Sequence, residues 1–347
     1  MEEFYNPEDG KFIVYSTQSC GLGDRLFGLV GTYLLSILNN YHFRIKLDDD
    51  ITYADVFQSP IPWWSDDWKL QPLKRGRLNI ESNLADNLGL FTDKTISESY
   101  PNSDCLYLYS NQNFIPYLFQ NDNYKEKLSN MGLTVENAFK LTLESLLQFE
   151  NEFIPNYEFL KNKLRENGKK VVGLHVRTNR FWGDVPEISN YTIDQFHRAV
   201  DVALNDDINL FVCSDDEEVI FKLKTRYGND RVISIPGQST HYSKNNKKKM
   251  YDVLKTFFEI WLLSECDYII ASYWSNFSRV AVLKSMKKPL IVELDIHENP
   301  KQPTRDWVNS FGNVDIENTD ILRKHFNIPN PVDGLRRADI TELMTKI

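Results

Sequence analysis

His175-Val176-Arg177 closes an apolar run over residues 171–176. Side chains of an extended chain alternate between faces, so His175 and Arg177 belong to the same side. A guanidinium stays charged and offers two parallel donors, which suits a phosphate. Alone, H-x-R reads as an ordinary ion pair beside a satisfied histidine. Its place at the carboxyl end of a strand, where open α/β sheets bind ligands, favours chemistry. Two further strand ends carry polar groups. Ser214-Asp215-Asp216 follows the run 208–213. A carboxylate there can hold a base amine or a ribose hydroxyl, and can equally cap the next helix. Ser275, Asn276, Phe277 and Ser278 follow the run 268–272 and precede Val280, Ala281 and Leu283. Hydroxyls and N–H groups opening a helix form an anion site. The three strand ends together weigh more than any one of them.

The N-terminal half has its own loop of this kind. Gly21, Gly23, Asp24 and Arg25 lie between the strand-like run 11–16 and apolar positions at helical spacing from Leu26 to Leu38. Small residues let backbone N–H groups approach a phosphate or sugar. With Gly28 the spacing is GxGxxxxG, not the dinucleotide GxGxxG, and Asp24 would repel a diphosphate lying on the loop. A tight strand-to-helix turn is the plainer explanation. Asp48-Asp49-Asp50 contains a D-x-D that could hold a divalent metal on a diphosphate. In so acidic a chain a solvated loop is favoured. Trp63, Trp64 and Trp68 could stack on sugar rings or pack a core. The basic stretch 244–249 reads as a solvated loop.

These residues need elements to position them. The pattern 11–47 reads strand, helix, strand, a βαβ unit and hence a parallel sheet. Residues 58–122, rich in Pro, Trp and Asn, read as long loops and short helices. From about Lys169 strands and helices alternate again, the signature of a doubly wound sheet. At roughly 150 residues per domain, 347 residues suggest two domains. The boundary is expected at 165/166, with one α/β domain over 1–165, a second over 166–347, and a C-terminal tail that can return to the first.

Forty basic against 49 acidic residues give a net charge of −9, which argues against a broad nucleic-acid surface. No apolar run is long enough for a transmembrane helix, so no integral membrane segment is expected. The acidic N-terminus shows no secretory signal. Cys20, Cys105, Cys213 and Cys266 show no metal-ligand spacing and read as free thiols of a cytoplasmic protein.

Taken in order, the motifs resemble the GDP-fucose-dependent fucosyltransferase superfamily, most closely the rhizobial nodulation α1,6-fucosyltransferase type. The resemblance rests on the strand, G-x-G-D and helix over 12–37, and on His175, Arg177 and the following acidic Asp184. It continues with Cys213-Ser214-Asp215, the stretch 251–279, and the last strand at 290–295. It covers about 280 residues in family order. Two departures stand out. Thr178-Asn179-Arg180-Phe181-Trp182 replaces the usual continuation after H-x-R, and Asp24 stands where several subfamilies have Asn.

The resemblance implies a GT-B fold, two Rossmann-like domains facing a cleft. It implies an inverting, metal-independent transfer of L-fucose or a related sugar from a GDP-sugar to a glycan hydroxyl, with no cofactor. Arg177 would hold the β-phosphate, and His175 and Asp215 would contact the guanosine, with Asp216 beside them. Ser275, Asn276, Phe277 and Ser278 would line phosphate and base. Gly21, Gly23, Asp24 and Arg25 would face them from the other domain. Asp184 and Glu187 are both candidate bases, with Asp184 the better match to the family's acidic position. The alternatives are a metal-dependent transferase using Asp48–Asp50 and a sugar-binding relative without turnover.

Overall fold

A computed structural model describes residues 1–16, 20–46, 53–59, 61–62, 69, 73–80, 87–178, 196–197, 200–201, 208–237, 250–272, 275–285 and 290–294. The chain divides into two compact units. One holds the described residues up to Glu150, the other the described residues from Asn151 onward.

The first unit is built on a parallel sheet in the order β2-β1-β5-β4, comprising β2 (His42–Lys46), β1 (Phe12–Ser16), β5 (Cys105–Tyr109) and β4 (Arg75–Asn79). A short antiparallel pair, β3 (Phe57–Gln58) with β6 (Gln148–Phe149), lies apart from it. The helix Leu22–Asn39 follows β1 directly and is buried on nearly every side, as its almost continuous apolar sequence requires. Asn40 ends it in the left-handed region, φ 57°. The Lys127 ammonium donates to the Ile37 carbonyl at 2.6 Å, a cation placed on the negative end of the helix dipole. Gly28 sits where this helix meets the chain after β5, because a Cβ there would stand 2.0 Å from the Ser110 carbonyl oxygen.

β4 and β5 lie within the stretch expected to be loops and short helices. That expectation is corrected here. β5 (CLYLY) alternates as a strand should, but the sequence RGRLN of β4 buries only Leu78, so no periodic signal marks it.

The second unit has a five-stranded parallel sheet, β11 (Leu290–Leu294), β10 (Tyr268–Ser272), β7 (Lys170–Val176), β8 (Ile208–Ser214) and β9 (Val232–Ile233), in that spatial order. Counted in chain order from β7 this is 5-4-1-2-3, the Rossmann arrangement, with its topological switch between β7 and β10. Val172, Leu174 and Val176 of β7 pack with Leu210 and Val212 of β8 and with Phe196 and Val200. The helix Ile154–Leu164 belongs to this unit: Asn209 donates to the Leu164 carbonyl at 2.9 Å, and Arg165 donates to Asp267 through its two terminal guanidinium nitrogens. Among the described residues no helix is long and apolar enough to cross a membrane.

Candidate functional site

The two strands flanking the switch, β7 and β10, end in Val176 and Ser272. The chain leaving β7 is tied to both neighbouring strand ends. The Arg177 N–H donates to the Ser272 hydroxyl at 2.9 Å, on the β10 side. On the β8 side, the Thr178 N–H and hydroxyl both donate to Asp215 Oδ1, at 2.6 and 3.0 Å. The half-buried Arg177 side chain therefore starts from a backbone held on two sides. Of the two carboxylates after β8, Asp216 is the helix cap: its Oδ1 accepts from the Glu218 N–H at 2.9 Å, at the start of the helix Glu217–Tyr227. Asp215 is the one directed at the β7 loop.

His175 is buried and its ring stacks on Phe277, with centroids 4.7 Å apart and planes inclined by 22°. Burial, then the positive charge of Arg177, pushes its pKa down to about 3, so the ring is neutral at physiological pH. Its Nδ1 is buried and has no hydrogen-bond partner. An unmade bond of this kind costs about 1–3 kcal/mol, and such a group calls for an explanation.

Phe277 belongs to the helix Asn276–Lys284, which follows β10 with Ser275 at its cap position. The Ser278 hydroxyl donates to the Ser275 carbonyl at 3.0 Å. Asn276 Oδ1 accepts at 3.2 Å from Arg279, whose side chain is wholly buried. These two side chains shape the helix start, whose first N–H groups have no partner within the helix.

In the first unit Asp24 accepts from the Gly21 N–H at 3.2 Å, at the start of the helix Leu22–Asn39. Its negative charge serves the positive end of that helix, which gives a local reason for an acid in a glycine turn. Arg25 is buried, and its Nε donates to the Cys20 carbonyl at 3.2 Å. Gly23 is buried in the first turn. The structure thus brings together His175, Arg177, Asp215 and Phe277, with Ser275, Asn276 and Ser278 beside them. Gly21, Gly23, Asp24 and Arg25 form a separate cluster in the other unit. Asp184, Glu187, Asp48–Asp50, Trp63, Trp64, Trp68 and the stretch 244–249 lie outside the described residues.

Several residues of this region were missed in the sequence. Thr178 and Ser272 position the β7 loop, and their signal was only that they are polar residues at strand ends. Lys255 and Glu259 form a buried ion pair within the apolar helix Met250–Leu263. Their i,i+4 spacing inside an apolar stripe was a legible signal. Burial, opposed by the Lys255 charge, pushes the Glu259 carboxyl up to about 6. The Cys213 thiol beside them is held well above its ordinary range by burial.

The family of alpha-(1,6)-fucosyltransferase N- and catalytic domains matches residues 112–287. That span holds the whole second-unit site. No curated protein sequence matches the chain. Among solved structures, a mutant of Arabidopsis thaliana FUT1 in complex with GDP superposes with a TM-score of 0.60 at 16% identity, over 86% of this chain and 72% of that one. Fucosyltransferase NodZ from Bradyrhizobium superposes with a TM-score of 0.56 at 17% identity, over 82% of this chain and 96% of that one. NodZ alpha-1,6-fucosyltransferase soaked with GDP-fucose gives 0.55 at 16%, over 82% and 96%. At these identities the structures establish a shared α/β fold with parallel sheets. The family match covers slightly more than half of the chain, and the chain is therefore a glycosyltransferase belonging to the alpha-(1,6)-fucosyltransferase family.

Proposed function

We propose that this enzyme transfers L-fucose from GDP-fucose to a glycan hydroxyl, with inversion at the anomeric carbon and without a metal ion. The observation that carries the reading is Arg177 at the switch point of a Rossmann-type sheet, its backbone braced by Ser272 and Asp215, in a chain of this family. Among solved structures of the same fold, one is a complex with GDP and another was soaked with GDP-fucose.

As the glycosidic bond breaks, negative charge gathers on the β-phosphate of the departing GDP. A guanidinium held in advance stabilises that charge without having to reorganise. The N–H groups opening the helix Asn276–Lys284 add a second positive element. His175 is neutral, so its part is recognition: it offers a flat ring backed by Phe277 and an unused Nδ1 to the guanosine. Asp215 is proposed to hold the loop and to contact the nucleoside. Gly21, Gly23, Asp24 and Arg25 are proposed to contact the substrates from the first unit.

Titration calorimetry in EDTA is expected to show GDP binding, with UDP much weaker. Equal affinity for the two would remove the guanine assignment. GDP binding that disappears in EDTA would assign the diphosphate to a metal, and so revive the carboxylates Asp48–Asp50.

The acceptor hydroxyl must lose a proton as it attacks, and a carboxylate can take it. Asp184 is proposed for this role ahead of Glu187, because the family carries an acidic residue after H-x-R. Asp184→Asn is expected to lower the transfer rate at unchanged GDP affinity, and near-wild-type transfer by this variant would discard the assignment.

A further inference from the structure

In the first unit one face of the sheet carries a paired set of arginines and tyrosines. β4 is an edge strand, bonded only to β5 among the described strands. Arg75 pairs with Cys105 and Arg77 with Tyr107 in register, and paired residues of neighbouring strands share a face. Arg75 and Arg77 are therefore on the same side as Tyr107 and Tyr109, the arginines about 6.6 Å apart along the strand. Both arginines are exposed and both tyrosines half-buried. The Arg77 guanidinium lies over the Tyr109 ring, 4.4 Å from its centroid. The Arg75 charge opposes the rise that burial causes in the pKa of Tyr107. Tyr107 in turn packs on Phe12, Val14 and Cys105, so the aromatic base is fixed. No described carboxylate forms an ion pair with either arginine.

Charge on an edge strand is ordinary protection against strand pairing. Protection needs no aromatic partner and no common face. In a chain of net charge −9, two exposed arginines with no ion-pair partner among the described carboxylates, one of them seated on a tyrosine of the next strand, form a cationic and aromatic surface. A guanidinium fork donates two parallel hydrogen bonds to a carboxylate, and a half-buried tyrosine presents an apolar ring and a polar tip to a sugar. A glycan acceptor supplies both chemistries when it carries uronic acids.

We propose that the β4–β5 face binds a carboxylate-bearing oligosaccharide, and that the glycan served by this enzyme is acidic. The identification of the bound chain as an acceptor rests on the proposed glycan transfer. The binding itself does not.

The test is titration calorimetry of the full chain at low ionic strength, with oligogalacturonate as the probe, a neutral cello-oligosaccharide and a polyglutamate peptide as controls, and GDP titrated separately. The wild-type protein is expected to bind oligogalacturonate, more weakly as salt is raised, and to bind neither control comparably. Arg75→Gln/Arg77→Gln is expected to weaken that binding about tenfold or more, as the loss of roughly 1.4 kcal/mol would. GDP affinity should be unchanged, which shows that the variant is folded. Tyr109→Leu should weaken oligogalacturonate binding while leaving both charges in place. The proposal is overturned if the wild-type protein does not bind the probe, if the double variant binds it equally well, or if either control binds as tightly. Loss of GDP binding in the wild-type protein would instead count against the donor reading alone.

Discussion

Replacing Arg177 by lysine is expected to lower transfer on the order of 100-fold or more, the size of losing one preorganised transition-state donor. Lysine keeps the charge but loses the planar fork, so it cannot make two parallel bonds to a phosphate. The fold should be little affected, because the backbone N–H of position 177 that bonds Ser272 is one that any residue but proline supplies. GDP affinity should fall less than the rate, since leaving-group charge is greatest in the transition state. Steady-state kinetics with GDP-fucose, beside GDP titration, separates the two. A variant that keeps most of its kcat would show that Arg177 is not the group that holds the leaving phosphate.

Gly28→Ala is expected to cause the largest loss of stability among the glycine substitutions in the helix Leu22–Asn39. The added Cβ would meet the Ser110 backbone oxygen at 2.0 Å and the Tyr15 ring at 2.7 Å. Tyr15 is itself fixed, donating to the Arg25 and Ser110 carbonyls at 3.0 and 3.2 Å. A backbone carbonyl between two bonded elements cannot swing away, so the helix must shift from β1 and β5. Overpacking of this kind costs about 1–3 kcal/mol, and more where the obstacle is rigid. Gly89→Ala is the control. Its Cβ would meet only the Asp93 carboxylate at 3.5 Å, and alanine is the better helix former by about 1 kcal/mol. Urea unfolding of the two variants should therefore give shifts of opposite sign. A Gly28→Ala protein as stable as the wild type would mean that the helix does not pack this closely.

The helix Leu22–Asn39 and the strands β1, β7, β8 and β10 were legible because each is a periodic or continuous apolar run with polar residues at its end. β4 was not, because an edge strand needs little apolar sequence when its neighbour supplies the buried face. At the site, H-x-R and the Ser214-Asp215-Asp216 element were visible as residue types at strand ends. Their division of labour was not, because local sequence makes Asp215 and Asp216 equally good caps.

The order of apolar runs and the residue types at their ends determined, from sequence alone, a parallel α/β protein with an arginine at a strand's carboxyl end. Those properties are local: they depend on alternation, helical spacing and the chemistry of single side chains. Which strands are neighbours was decided only in three dimensions. β10 lies beside β7 although some 90 residues separate them in the chain, and that pairing sets Ser272 under Arg177 and Phe277 against His175. Contacts between distant segments form where buried area and satisfied backbone bonds are jointly best, and no single segment carries that information.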